Sequence, residues 1–206
     1  MHYVGNDVVD LKEPANKWKS RDSRFLKKIL TDAEMEFVKN AKNSDEALWS
    51  LWACKESAYK VIKKILPDTA FIPKRWQVVF NKTQSECSEG KVVITGNDGI
   101  FIRLFSNHDY IHCVGADKLA ELDKIISGVE ILPEKENNPS FFSRLCLAKR
   151  LAKHFLLDIH QIKIKRIKEK GELQPPRAYI DGRKTDTDVS LSHDGRFVAY
   201  AFNDTR

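Results

Sequence analysis

Hydrophobic residues recur at steps of three and four between positions 48 and 60, where the sequence reads LWSLWACKESAYK. This spacing predicts a helix with one buried face, and we expect it to span residues 45–65 and to end before Pro67. The charged residues in its middle turns are Lys55, Glu56 and Lys60. Charged groups on a helix that also buries tryptophan mark it as a candidate for chemistry as well as packing.

Other segments predict strands and further helices. We expect a strand at residues 2–11, a helical stretch RDSRFLKKIL, and a helix that begins with a capping box formed by Thr31 and Glu34. After the long helix, four strands are predicted at RWQVVF, KVVIT, GIFIRLF and IHCVGA. A second amphipathic helix, SRLCLAKRLAKHFLLD, precedes three more strand segments: QIKIKRI, RAYID and RFVAYAF.

The two halves of the chain are loosely similar. CKESAYKVI aligns without a gap with AKRLAKHFL, and LFSNHDYIHCVGA aligns with SLSHDGRFVAYAF. A degenerate internal repeat predicts an α+β fold of two similar lobes, with an N-terminal lobe at 1–126, a linker at 127–140 and a C-terminal lobe at 141–206. Few identities are shared, so chance similarity between two α+β segments is the alternative.

The positive net charge of the chain indicates which classes of binding partner to expect. The chain has 206 residues and a formal net charge of +6, which favours nucleic acid, a membrane surface, a phosphorylated ligand or an acidic protein as partner. A generally basic surface without a specific partner is the alternative. Basic residues concentrate between 143 and 170, but no aromatic residues interleave with them as a single-strand platform would require.

Cysteine usage and hydropathy predict the compartment. The four cysteines are scattered and form no C-x-x-C pair, which argues against a zinc cage or a disulfide framework and suits a reducing environment. The first residues carry acidic groups where a signal peptide has an apolar run, and no stretch reaches the length of a membrane span. We therefore expect a cytoplasmic protein without a membrane partner.

Two carboxylates lie in segments that otherwise read as buried. Side chains alternate along a strand, so Asp7 and Asp10 face opposite sides, and a second metal ligand for Asp7 must come from elsewhere. Glu56 shares a helix face with Trp52 and Lys60, which makes it the candidate. The alternatives are a salt bridge for Asp7 and an exposed Glu56–Lys60 ion pair.

A third candidate group lies near the end of the chain. His193 is expected in a short loop before the strand that begins near Phe197. Ser192 and the backbone of Gly195 could donate to phosphate oxygens there. A solvated loop histidine is the alternative interpretation.

Together, these stretches resemble the 4′-phosphopantetheinyl transferase superfamily. The family pattern is a G-x-D strand, a W-x-x-K-E-x-x-x-K helix and an S-x-S-H loop, found here at residues 5–7, 52–60 and 190–193. The motif order and the segment RFLKKILTDAEMEF are similar to the small holo-acyl-carrier-protein synthases. The length and the internal repeat are similar to the two-lobed, Sfp-type class.

The resemblance implies an active site between the lobes. Its reaction transfers phosphopantetheine from coenzyme A to a serine of an acidic apo acyl or peptidyl carrier protein and releases adenosine 3′,5′-bisphosphate. The implied metal is Mg²⁺, with Mn²⁺ left open, held by Asp7 and Glu56. Glu56 and Lys60 are the implied catalytic residues. The implied coenzyme A contacts are Ser192, His193, Lys60 and, as a weaker candidate about 100° around the helix from Glu56, Lys55.

Each lobe departs from the pattern at one position, which implies one competent site. In the alignment of the two halves, the first lobe has Asn107 at the position of His193. The helix of the second lobe has Arg150 at the position of Glu56. One chain that supplies both lobes needs no oligomer, so we expect a monomer. A carrier helix or the nucleotide's 3′-phosphate could meet either Arg24, Lys27 and Lys28 or the basic run after Ser143. A catalytically silent relative that binds carrier proteins and a nucleic-acid-binding protein are the competing hypotheses.

Overall fold

The computed structural model describes residues 2–83, 87–94, 97–169 and 171–203. Within these ranges the α-helices are α1 (Ser23–Ile29), α2 (Asp32–Asn40), α3 (Ser44–Ile65) and α4 (Pro139–Phe155). The strands of the first sheet are β1 (Val4–Asp10), β2 (Trp76–Thr83), β3 (Cys87–Ile94), β4 (Asn97–Ser106) and β5 (Tyr110–Ala116). The strands of the second sheet are β6 (Ile125–Ile131), β7 (Ile162–Lys165), β10 (Arg177–Ile180), β11 (Arg183–Asp194) and β12 (Phe197–Asn203). A separate small hairpin consists of β8 (Lys168–Glu169) and β9 (Glu172–Leu173).

The two lobes have the same topology. The strand order is β1-β5-β4-β3-β2 in the first sheet and β6-β12-β11-β10-β7 in the second. In each lobe the chain passes through an edge strand, then a long helix, and then four strands that return to that edge. All neighbouring strands pair antiparallel. The predicted α+β fold of two similar lobes is confirmed.

Helix α3 forms where the hydrophobic spacing predicts it. The side chain of Asn43 caps its N-terminus by accepting a hydrogen bond from the backbone N–H of Glu46. Acidic residues occupy its first turn and lysines its last, which complements the helix dipole. Leu48 and Val61 are completely buried against the first sheet, and each such side chain contributes about 1.5–3 kcal/mol of hydrophobic stabilisation.

Helix α3 lies unusually close to β1 because the strand has glycine at the crossing. A Cβ atom at Gly5 would be 2.0 Å from the carbonyl oxygen of Ser57. The hydroxyl of Ser57 also donates to the carbonyl of Cys113 on β5, at 3.0 Å. This close contact sets the distance between the side chains that β1 and α3 direct towards each other.

Side chains of the second lobe cap the free edge of β1. This strand lies at the edge of the first sheet, where outward N–H groups need partners. Three of them donate to side chains of β11: Val4 to Asp188 (2.6 Å), Asn6 to Ser190 (2.9 Å) and Asp10 to Asp194 (2.9 Å). The lobes are thus joined by side chain to backbone hydrogen bonds along one strand.

The turn between β11 and β12 completes this junction. Gly195 has φ of +49° and lies so close to β1 that a Cβ atom would be 2.5 Å from Asp10 Oδ2. The guanidinium of Arg196 donates to both carboxylate oxygens of Asp10, at 2.8 and 2.7 Å. Asp10 is completely buried and points away from Asp7, as the strand alternation predicts.

Two expectations need correction. Residues 127–131, expected in the linker, belong to edge strand β6, and α4 begins at Pro139, so only residues 132–138 are an irregular connection. His193, expected in a loop, lies at the end of β11, and the turn consists of Gly195 and Arg196 alone. The side chains of β6 are only partly buried, which explains its weak hydrophobic pattern. Whether the lobes are separable domains stays a prediction.

The described residues contain no helix that is long and apolar enough to cross a membrane.

Candidate active site

A cavity of about 380 Å³ lies between α3 and the second lobe. The first lobe contributes Asp7, Glu56 and Lys60 to its wall, and the second contributes Ser192 and His193. These are five of the six residues singled out from the sequence, and they come from opposite ends of the chain. A larger groove of about 1320 Å³ next to α2 contains none of them, so we place the candidate site in the smaller cavity.

Lys60 is fixed between the strand and the helix. Its Nζ donates to the carbonyl of Asn6 at 2.7 Å and to Asp7 Oδ1 at 2.9 Å. The side chain is 27% exposed. An ammonium group has three hydrogens, so these two contacts leave one for a ligand in the cavity.

Asp7 and Glu56 are two carboxylates of one cavity, and the charge of Asp7 disfavours the charged form of Glu56. Burial raises the pKa of Glu56 to about 7, the charge of Asp7 adds to this effect, and Lys60 opposes it. Burial also raises the pKa of Asp7, against the lowering effect of Lys60. Two partly buried carboxyl groups of this kind favour the binding of a cation.

The donor set fits some metals and not others. The described part of the chain contains no cluster of three or more His, Cys, Asp or Glu side chains that could hold a metal. A structural zinc site requires four such ligands, so the residues do not fit zinc. Mg²⁺ commonly uses one or two carboxylates, with phosphate oxygens and water as the other ligands. Asp7 and Glu56 fit that pattern.

His193 faces the carboxylates from the second lobe. Its exposed side chain lines both this cavity and a neighbouring one of about 360 Å³, which also contains Asp7, Glu56 and Trp52. Partial burial and the charge of Lys60 lower the pKa of His193. A neutral imidazole can both donate and accept a hydrogen bond.

Ser192 is at the cavity, but its hydroxyl proton is used within the protein. The side chain is 6% exposed, and its Oγ donates to Asn6 Oδ1 at 2.6 Å. In this arrangement the hydroxyl of Ser192 holds the lobes together and donates nothing to the cavity.

Lys55 is not brought to the site. Its side chain is completely buried, and Nζ donates to Glu34 Oε2 at 2.6 Å and to the carbonyls of Ile29 and Pro73, both at 2.9 Å. All three ammonium hydrogens therefore have protein acceptors. The expectation that Lys55 contacts coenzyme A is corrected: its position on α3 points it into the core of the first lobe.

Lys64 and Asn6 were not singled out from the sequence. Lys64 Nζ donates to Val4 O at 2.6 Å, Asp188 Oδ2 at 2.7 Å and Val189 O at 2.8 Å. Asn6 is completely buried between Lys60 and Ser192. The only sequence signal was the four-residue spacing of Lys60 and Lys64, because the partners of these residues come from distant segments.

Residues 3–115 match the family model of the 4′-phosphopantetheinyl transferase superfamily. This range is more than half of the 206 residues and contains Asp7, Glu56 and Lys60. The chain belongs to the 4′-phosphopantetheinyl transferase superfamily, and the family assignment made from its motifs is confirmed.

Individual relatives match more narrowly. The chain is 34% identical over 59 residues to the holo-[acyl-carrier-protein] synthases of two strains of Leptospira biflexa serovar Patoc. That stretch covers 29% of this chain and 46% of the relatives, so it spans about half of their length. The crystal structure of Thermotoga maritima holo-[acyl-carrier-protein] synthase aligns with a TM-score of 0.40 at 15% identity, over 89% of this chain and 86% of that one.

Proposed function

We propose that this protein is a holo-acyl-carrier-protein synthase-like 4′-phosphopantetheinyl transferase. A serine hydroxyl of an apo acyl or peptidyl carrier protein attacks the pyrophosphate phosphorus that bears the pantetheine arm of coenzyme A. A new P–O bond forms to the serine, the bond to the bridging oxygen breaks, and adenosine 3′,5′-bisphosphate leaves. The observation that carries this proposal is the single cavity in which Asp7, Glu56 and Lys60 of one lobe face His193 of the other.

Asp7 and Glu56 would hold a divalent cation. Mg²⁺ suits two carboxylates with phosphate oxygens, and Mn²⁺ accepts the same ligands. When bound, the cation would supply positive charge at the pyrophosphate. The raised pKa of both carboxyl groups supports this role, because a cation next to them restores the ionised form.

Lys60 would contact the reacting phosphate. Its contacts with Asn6 O and Asp7 keep the ammonium at the cavity wall, so the charge is in place before the reaction begins. Lys60 and Glu56 are both candidates for taking the serine proton. Each group accepts a proton only in its deprotonated form, and for Glu56 that is the form which a bound cation would favour.

The second lobe would bind the nucleotide part of coenzyme A. His193 can donate a hydrogen bond to a phosphate oxygen from the wall opposite Lys60. The cavity volume of about 380 Å³ lies within the range of roughly 300–1,000 Å³ that is usual for small-molecule sites.

The partner would be an acidic carrier protein. Exposed basic residues on α1, Arg24, Lys27 and Lys28, form a surface next to the cavity that contains Phe25 and Trp52. Opposite charge at such a surface speeds association and orients the partner. Both walls of the site come from one chain, which supports a monomer. We also propose that the protein acts in the cytoplasm, with neither a membrane nor a nucleic acid as partner.

Intact-mass spectrometry of an apo acyl carrier protein incubated with coenzyme A and Mg²⁺ tests the proposal. We expect the carrier to gain one phosphopantetheine, and we expect the gain to be lost with EDTA or with the Glu56→Gln enzyme. Glu36→Gln, at an exposed position on α2, is the matched control and should stay active. No gain on acyl or peptidyl carriers, from enzyme that is folded and binds coenzyme A, would favour a silent carrier-binding relative.

Calorimetry measures metal binding independently of the transfer reaction. Mg²⁺ binding in the presence of adenosine 3′,5′-bisphosphate should weaken in both Asp7→Asn and Glu56→Gln. Unchanged Mg²⁺ affinity in both variants would contradict the assignment of the two carboxylates as ligands.

A further inference from the structure

Asn6 makes hydrogen bonds to residues on both walls of the candidate active site. Its backbone carbonyl accepts from Lys60 Nζ at 2.7 Å, and its side-chain Oδ1 accepts from Ser192 Oγ at 2.6 Å. Its backbone N–H donates to Ser190 Oγ at 2.9 Å. The residue is completely buried. Asn6 therefore touches a helix of the first lobe and a strand of the second from behind the cavity wall.

An asparagine is unfavourable for stability at this position. Asparagine is depleted in strands, and the amide nitrogen Nδ2 of Asn6 has no hydrogen-bond partner among the described residues. A buried N–H without a partner destabilises a fold. The neighbours of Asn6 on the same face of β1, Val4 and Val8, are buried and apolar. Packing alone would favour a third valine, and local choices that oppose stability are expected at functional sites.

The hydrogen bond between Asn6 and Ser192 lies next to the groups of the candidate site. Asp7 follows Asn6 on β1, and His193 follows Ser192 on β11. Three further contacts between these strands use backbone N–H groups of β1, so they do not depend on the side chain at position 6. The bond between the two side chains is therefore the contact through which residue 6 can set the position of His193 relative to Asp7.

Lys60 is attached to the same strand as Asp7. Its ammonium binds the carbonyl of Asn6 and Asp7 Oδ1, so Lys60 and Asp7 move together with β1, whereas His193 moves with β11. A shift between the two strands would preserve these contacts and change the separation of the walls. A misplacement of about 1 Å can slow an enzymatic step by on the order of a hundredfold. Ground-state binding depends less on the alignment of reacting groups.

We propose that Asn6 is a positioning residue, which acts through Ser192 to hold His193 opposite the groups on β1 and α3 at the separation that transfer requires. This inference rests on the proposed function. It assigns the amide of Asn6 to the rate of transfer, at the expense of stability.

The double variant Asn6→Val/Ser192→Ala tests the proposal by removing both partners of the hydrogen bond. Replacing two bonded polar groups by apolar ones of similar shape is nearly neutral or stabilising, so the urea midpoint should equal or exceed that of the wild type. The kcat for transfer from coenzyme A should fall by on the order of tenfold to a hundredfold, and by more than the affinity for coenzyme A does.

Two further variants complete the test. The exchanged pair Asn6→Ser/Ser192→Asn can form the same bond in the opposite direction and should recover part of the lost kcat. Ser106→Ala removes a bond of equal length, 2.6 Å to Glu46, within the first lobe, and should keep the wild-type kcat. An unchanged kcat in the Asn6→Val/Ser192→Ala protein, or its failure to fold, would show that the amide serves stability and would overturn the proposal.

A binding measurement gives a result that does not require transfer. Calorimetry with coenzyme A and Mg²⁺ should show that His193→Gln weakens the affinity by about tenfold in the wild-type background. In the Asn6→Val/Ser192→Ala background the same change should weaken it by less than about threefold, because His193 is no longer held in place. Equal losses in both backgrounds, or no coenzyme A binding by the wild type, would overturn the inference. The expected difference in a protein without transferase activity would support the positioning role and contradict the proposed function alone.

Discussion

The ammonium of Lys64 lies 2.7 Å from the carboxylate of Asp188, and the two side chains are only 6% and 9% exposed. Lys64 belongs to α3 of the first lobe and Asp188 to β11 of the second. Both also bind the backbone of Val4, Lys64 at the carbonyl and Asp188 at the N–H. One buried ion pair therefore connects a helix and a strand of the first lobe to a strand of the second.

Asp188→Asn should destabilise the protein strongly. The substitution leaves the charge of Lys64 buried without a counterion, which costs about 3–5 kcal/mol of unfolding free energy. Urea denaturation should show this loss, and transfer activity should fall because the lobes no longer hold His193 opposite Glu56. Asp186→Asn, exposed on the same strand, should change stability by less than about 0.5 kcal/mol. Equal midpoints for the two variants would contradict the structural role of the pair.

Gly5→Ala should separate β1 from α3. The new methyl group would meet the Ser57 carbonyl at 2.0 Å, so the helix must move, at a cost of about 1–3 kcal/mol. The movement also increases the distance between Asp7 and Glu56, so we expect a loss of transfer activity. Gly115→Ala is the control, because Gly115 pairs directly with Gly5 but its Cβ would first meet Ile100 Cγ2 at 3.3 Å. A fully active, equally stable Gly5→Ala protein would show that the close approach is dispensable.

The substitution Lys55→Met should reduce stability, whereas Lys60→Met should reduce transfer activity. The first substitution leaves Glu34 buried without its partner and should reduce stability by about 3–5 kcal/mol, with the affinity for coenzyme A retained by the folded fraction. The second removes the ammonium from the cavity, so the folded protein should lose transfer activity. Thermal unfolding and coenzyme A titration measure the two effects separately. Weak coenzyme A binding by a stable Lys55→Met protein would restore Lys55 as a ligand contact.

His112 should make the protein sensitive to mild acid. Burial and the charge of Lys60 lower the pKa of His112 to about 3, whereas the unfolded chain has a histidine pKa of about 6.5. The unfolded state therefore binds a proton first as the pH falls, and stability is lost between about pH 6.5 and pH 3, by roughly 1.4 kcal/mol per pH unit.

The variant His112→Phe isolates this effect. Between pH 7 and pH 5 its unfolding free energy should fall by about 2 kcal/mol less than that of the wild type. Denaturant titrations at both pH values give the difference directly. Parallel loss of stability in the two proteins would show that His112 does not titrate in this way.

Local signals made much of the fold predictable. Helix α3 and the capping box of α2 depend on residues three or four positions apart, and both occur as expected. Strands β6 and β11 were incompletely predicted for a different reason. Half-exposed side chains obscure β6, and the polar residues at the start of β11 find their partners in other strands.

The residues of the candidate site were also predictable only where the signal is local in the sequence. Asp7, Glu56 and Lys60 could be singled out because each stands in a recognisable motif, and the structure places them at one cavity. Lys55 could not be placed, because its acceptors Ile29, Glu34 and Pro73 are all distant in sequence.

Strand β1 performs two tasks with alternate residues. Gly5, Asp7 and Val9 face α3, whereas Asn6 and Asp10 bind the second lobe. A shift of one residue against β5 would exchange these two sets. Such a misfolded chain would lose the carboxylate of the candidate site and the attachment between the lobes at the same moment. The register of one strand therefore fixes both the candidate site and the attachment between the lobes.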